Sequence, residues 1–393
     1  MHPVISLRYL EFKSANLLAV CAFSMVALGA LHSESRSPTA QTPAVPTNPT
    51  IPNTLRGPMW WHLVPANIQD SRTHTGSIFS TKNALDLMLP EGWKVVGQVE
   101  WPTPKGSPSL KFDVDSPDGL VGLSYLGRDS WSWSDDANTR ATLQVRGDKV
   151  EPLPQTQAAD YLRTVLLPKL RPSAQVIAIE PLPKITDYLT QQLQGTNTAA
   201  QTNAEQTHTA IPKSTGDAAR AHITYQQNGV PVEEWVNIAV EHLQQHADNT
   251  PPRQPDETFQ LYVAPSGPMI DTLSIVECDI FRAPQGKLEQ YSPILATVLA
   301  TLHQDSLWTS MVSDEYWQGK FNDQIIYFTG SYFGGNEFVF HAADGEEYVE
   351  SSFMYAWTND KGNELVVTDT ANFNPNGKVG TTSWKQLKPA NAQ

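Results

Sequence analysis

His242 and His246, four residues apart in His-Leu-Gln-Gln-His, have the types and spacing of a metal-ligating pair. On a helix they would share one face and could ligate zinc. Leu243 stands where the catalytic glutamate of a zinc peptidase motif would be. Two ligands fall short of the three or four that zinc needs. Residues 236–240 alternate as a strand does, so the expectation is two exposed histidines at a strand end and no metal. Asp113, Asp115 and Asp118 sit at a turn in a spacing that calcium could use. The later bidentate glutamate and the regular oxygen series are missing, which leaves a solvated strand face as the reading.

Carboxylates also come in adjacent pairs, Asp135-Asp136, Glu233-Glu234 and Glu346-Glu347. Acid–base chemistry needs both members in one cleft, and neighbours on a strand point to opposite faces. Cys278, in the alternating run LSIVECDIF, reads as a small buried apolar residue. Cys21 falls in the leader, so the mature chain has no second cysteine for an intramolecular disulfide. No nucleophile elbow, phosphate loop or dinucleotide fingerprint is present, and no cofactor is implied. The residues most suggestive of contact are Trp60, Trp61, Trp131 and Trp133, because indole buries a large apolar body while keeping one donor. They are the candidate partner-binding residues. The competing reading packs them at a sheet edge.

The elements that must position these residues start with NALDLMLPEGWKVVGQVEW, residues 83–101. Leu85, Leu87 and Leu89 alternate, Pro90-Glu91-Gly92 turns the chain, and Val95, Val96 and Val99 resume, which predicts a hairpin. SLKFDVDSPDGLVGLSYLG predicts a second hairpin about Ser116-Pro117-Asp118-Gly119. Thr156 is placed to cap a helix with Tyr161, Leu162, Val165, Leu166 and Leu170 on one face. QVIAIE reads as a strand and residues 185–193 as a short helix. Residues 195–216, rich in Thr, Ala, Gln and Asn, read as a long surface excursion. ARAHITYQQ, VEEWVNIAVEHL, FQLYVA and TLSIVECDIF then read as strands, the first two joined at Asn228-Gly229. Ser292-Pro293 starts a helix striped by Leu295, Val298, Leu299 and Leu302. From Ser306 to Phe328, the spacing of Trp317, Phe321, Ile325 and Phe328 predicts one long amphipathic helix, followed by a small antiparallel sheet.

The chain has 393 residues and a formal net charge of −14. That acidity argues against a nucleic-acid partner, which would require a basic face. Arg8 and Lys13 precede an apolar run from Ala15 to Leu31, and Ala27-Leu28-Gly29 offers small residues for cleavage. Residues 1–30 therefore read as a signal peptide, with membrane attachment only if it stays uncleaved. Residues 31–57, Pro- and Thr-rich, read as a disordered tether.

Leu87-Met88-Leu89-Pro90-Glu91-Gly92-Trp93, Ser116-Pro117-Asp118-Gly119 and the strands ending in a helix over Leu288–Leu302 resemble the PsbP-like fold. Photosystem II extrinsic subunits, a Ran-binding protein and several bacterial envelope proteins share it. The resemblance covers roughly residues 78–303. It implies an α+β domain, a twisted antiparallel sheet with helices packed on it, over residues 58–305. The family has no common catalytic residues, so none is carried over. Residues 306–393 would form an appended helix and small sheet, or else dock on the main sheet. Tyr355-Ala356-Trp357 and Phe373-Asn374-Pro375-Asn376 are similar to tails of uncharacterised secreted bacterial proteins. The resulting expectation is a periplasmic or secreted, non-enzymatic protein that binds a protein partner or a small apolar ligand. The alternative is a secreted hydrolase with a site assembled across the sheet.

Overall fold

The computed structural model describes residues 60–72, 82–101, 108–207, 212–247, 267–317, 338–341 and 348–389. The leader, the tether, FQLYVA, Glu346-Glu347, and Phe321, Ile325 and Phe328 lie outside them. Strands β1 (Trp61–Asp70), β2 (Asn83–Pro90), β3 (Lys94–Glu100), β4 (Ser109–Asp115), β5 (Gly122–Tyr125) and β6 (Asp129–Trp133) come first. Helix α1 (Ala137–Arg146) and helix α2 (residues 158–170) follow, then β7 (Gln175–Pro181) and α3 (Pro183–Thr207). Three long strands, β8 (Lys213–Gln227), β9 (Val230–His246) and β10 (Met269–Pro284), lead into α4 (Leu288–Ala300). After them come β11 (His303–Gln304), α5 (Ser306–Trp317), β12 (Phe338–His341), β13 (Tyr348–Ser351), β14 (Tyr355–Asn359), β15 (Leu365–Thr368) and β16 (Trp384–Gln386).

Fourteen of these strands form a single sheet with the path β16-β14-β15-β1-β3-β4-β5-β10-β9-β8-β7, and β12 and β13 pair separately. The class is α+β. Every strand ladder among the described residues is antiparallel except one short parallel contact, Gln69 and Asp70 of β1 against Gln98 and Val99 of β3. That contact corrects the first predicted hairpin. β2 and β3 do turn at Pro90-Glu91-Gly92, but β2 pairs with β1, and β3 pairs with β4. Period 2 places residues on faces but leaves the choice of neighbour open.

Alternation along the strands splits the core in two. One face carries Leu110, Phe112, Val114, Leu123 and Phe281, covered by Leu295, Val298 and Leu299 of α4 and by Trp308, Met311 and Val312 of α5. The other carries Ala221, Ile223, Val236, Ile238 and Ile280 beneath Tyr161 and Leu162 of α2.

The helices depart from expectation for local reasons. The first amide of α2, that of Ala158, donates to Asp217 on the adjacent strand at 2.9 Å, so Thr156 is not the cap. Within α2, Leu162–Leu166 is a π segment, with the Leu167 amide reaching back to the Leu162 carbonyl. Pro168 follows at once and cannot donate, which fits a relaxed turn there. The expected excursion is largely helix, since α3 continues to Thr207 and Gly216 already belongs to β8. Ala and Gln favour that state when no proline interrupts. At Gly216 an added Cβ would lie 2.8 Å from the Leu189 Cβ, so glycine lets α3 sit close on the sheet. Helix α4 starts at Leu288 rather than at Ser292-Pro293, its first amide donating to the Glu233 carboxylate at 2.8 Å. Pro293 deprives the Glu289 carbonyl of its helical donor, and the Ser292 hydroxyl donates to that carbonyl at 3.4 Å.

The segment after residue 305 is joined to what precedes it. β15 pairs with β1, matching Trp61, His62 and Leu63 to Val367, Val366 and Leu365. The buried Asp70 carboxylate accepts the indole N–H of Trp101 at 2.8 Å and that of Trp308 at 2.7 Å. His62 bridges Glu91 and Glu364, at 3.1 Å each. β15 thus extends the main sheet edge to edge at β1.

Candidate functional site

At the end of the sheet where β8 turns into β9 and β4 into β5, charges line up across the strands. The register places Ile223, Glu234, Arg282, Gly122 and Asp115 side by side on the face that α2 covers. Both turns are set by sequence. Asn228 and Gly229 have φ of 52° and 81°, the positive pair that a two-residue hairpin requires. In the other turn Gly119 donates to the Ser116 carbonyl at 2.8 Å, while Asp118 accepts from the Ser116 hydroxyl at 2.6 Å and the Leu120 amide at 3.1 Å. The Ser116 hydrogen bond, with the Leu120 amide behind it, holds the Asp118 carboxyl below its usual range.

Glu234 has no exposed side-chain surface. A bare buried carboxylate would be costly, so its partners matter. Arg171, just past the end of α2, grips it with two parallel bonds of 3.0 Å from Nε and Nη2. The Tyr225 hydroxyl donates to the same carboxylate at 2.6 Å, and the Arg171 guanidinium lies 5.3 Å from the Tyr225 ring centre. Burial, then the Glu234 bond, pushes the Tyr225 phenol up to about 12. It therefore stays protonated at neutral pH and serves as a donor.

Arg282 reaches over Gly122 to bond Asp115, and donates to the Gly119 carbonyl at 3.3 Å. A Cβ on Gly122 would stand 2.7 Å from the guanidinium and 2.8 Å from the carboxylate, so the pair requires glycine beneath it. Arg282 Nε is buried and finds no hydrogen-bond partner among the described residues. Above this network lies an open depression of about 480 Å³, lined by Leu170, Arg171, Ser173, Tyr225, Gln227 and Arg282 among others. Its carboxylates are held by arginines and its phenol is protonated, so the arrangement suits recognition by fixed donors.

The residues singled out from sequence fall elsewhere or take other roles. Trp60 stacks on Phe373 at 5.8 Å, and Trp61 meets Trp93 and Tyr291 edge-on at 6.0 and 6.3 Å. Trp131 is buried against Tyr161 at 5.8 Å, with the Lys149 ammonium 4.2 Å from its ring centre. Trp133 lies beneath Arg140 at 4.8 Å and donates to Asp135 at 3.3 Å. Trp60 and Trp61 are separated from Trp131 and Trp133 by β3, β4 and β5, and the four do not share one surface.

His242 and His246 lie on β9, where four residues span about 13 Å. His242 meets Asp271 at 3.1 Å, and His246 bonds the Gly267 carbonyl at 2.7 Å. They are half-buried rather than exposed, because β10 pairs along the whole strand. Among the described residues, no three His, Cys, Asp or Glu cluster as a metal site would.

Asp113 and Asp118 are exposed and Asp115 is half-buried, as a solvated strand face has them, and within it Asp113 accepts from Ser124 and Asp115 from Arg282. Asp136 caps α1 through the Thr139 amide at 2.7 Å. Glu233 and Glu234 do point to opposite faces, and Glu233 meets His222 at 3.1 Å. Cys278 is buried, and burial raises its thiol pKa well above the ordinary value, as do the Asp279 and Glu277 charges. Arg171, Tyr225 and Arg282 were not singled out from sequence. The turn at Asn228-Gly229 was legible, but the strand register that sets Arg282 beside Glu234 was not. No protein-family model, curated protein or solved structure matches this chain.

Proposed function

We infer that this is an exported, PsbP-like protein that works by binding a protein partner, with the depression at the sheet end as its contact surface. The observation that carries the reading is the state of the charged groups there. Glu234 and Asp115 are held by Arg171 and Arg282 in one fixed frame, below an open and mostly polar surface. A preorganised donor frame lowers the cost of binding. An acid or base for catalysis would have to be released from its ion pair first. The polar lining fits a protein partner better than a small apolar ligand, whose site would be enclosed and mostly apolar. Export is supported by the basic and apolar N-terminal pattern, and the PsbP-like assignment by the α+β architecture and the two turn motifs.

The test is capture from native envelope extract with the parent chain and with Ser173→Trp and Pro172→Trp. Both positions are exposed at the rim, so the indoles obstruct the depression without touching the ion pairs. Loss of the same partner with both variants is expected. An unchanged set of captured proteins would remove the depression as the contact.

A further inference from the structure

The geometry points to an oxyanion, a phosphate or a carboxylate group, as the chemistry that this depression recognises, held between Arg171 and Arg282. The inference rests on the binding reading above and adds the ligand class. Both guanidiniums line the same depression, and both sit close enough to Tyr225 to act on its phenol. Glu234 and Asp115 fix their orientation from below, as a rigid fork needs for bidentate recognition.

Neither fork is used up. Arg171 spends Nε and Nη2 on Glu234 and one Nη1 bond on the Leu170 carbonyl at 3.1 Å. Arg282 commits only Nη2, to Asp115 and the Gly119 carbonyl, leaving Nη1 for an incoming acceptor. Arg171 keeps 27 % of its side-chain surface exposed and Arg282 14 %, so both are reachable. With two arginines against two carboxylates the frame is neutral.

The experiment follows arginine Nε–Hε resonances of the full mature chain during titration at constant ionic strength. One arm uses inorganic phosphate. The other uses a short acidic peptide with a free C-terminal carboxylate, beside its amidated form. Saturable shifts of the Arg171 and Arg282 signals in either arm support the inference. A response to phosphate alone identifies a phosphate group, and one that needs the free carboxylate identifies a peptide end. No movement in either arm overturns it. Arg282→Lys keeps the charge but loses the fork, and should weaken binding about tenfold or more. Ser173→Glu places a negative charge at the exposed rim, leaves every ion pair intact and should also weaken it. Unaltered binding in both variants would put the anion elsewhere and overturn the inference. A partner captured through the depression by a chain that binds neither probe would leave the binding reading standing and this ligand class rejected.

Discussion

Asp279 is fully buried on β10, where its carboxylate accepts from the Asn237 amide at 2.6 Å. Its second oxygen has no hydrogen-bond partner among the described residues. Burial, and then the Glu277 charge, hold its carboxyl well above the ordinary 3.8, against the opposing pull of Asn237 and Arg220. The folded chain thus binds this proton more tightly than the unfolded chain does. The stability contributed by the group is full below 3.8 and is lost as pH rises through the elevated folded value. Asp279→Asn cannot lose that proton. Its urea midpoint should gain on the parent's between about pH 4 and pH 8, the range above the usual carboxylate value. A midpoint difference that stays constant with pH would contradict this account of Asp279. A side chain's neighbours across the sheet decide such behaviour, so CDIF as a sequence indicated a buried cysteine and nothing about its acidic neighbour.

At the scale of elements, the long strands and their turns were legible because period 2 and Asn-Gly are local signals. Helix starts were less so. Asp217 takes the first amide of α2 and Glu233 that of α4, both from strands distant in sequence, and no local capping rule could name them. The apolar stripe of α4 was legible: Leu295, Val298 and Leu299 are buried, as are Leu87, Leu89, Val99 and Leu123, and Val95 packs against them. Leu295→Ala should therefore cost about 2–5 kcal/mol, read as a lower denaturant midpoint. An unchanged midpoint would place that helix face wrongly.

Fourteen of the described strands form one sheet, and one of its two ends is supplied late in the chain. Residues 306–393 contribute β14, β15 and β16, and Trp308, Met311 and Val312 fill the core under α5. A fragment of residues 58–305 would expose the β1 edge and leave Asp70 without the Trp308 indole. It should aggregate or melt without cooperativity, whereas a soluble fragment with a sharp melt would establish an independent domain. Composition marked a change of texture at residue 306 but could not show where the later strands pair. The candidate site escaped sequence reading for the same reason, since Arg171, Tyr225, Glu234, Arg282 and Asp115 come from five segments joined only by strand register. The central claim, that the depression they build is the binding surface, is tested most directly by a photo-crosslinking residue at Ser173, exposed at its rim, against one at Val145. Val145 is 88 % exposed on α1, near the other end of β10. A specific partner adduct in the native envelope at Ser173 and none at Val145 is the expected result. Adducts at Val145 alone, or at neither position while the partner still co-purifies, would contradict it.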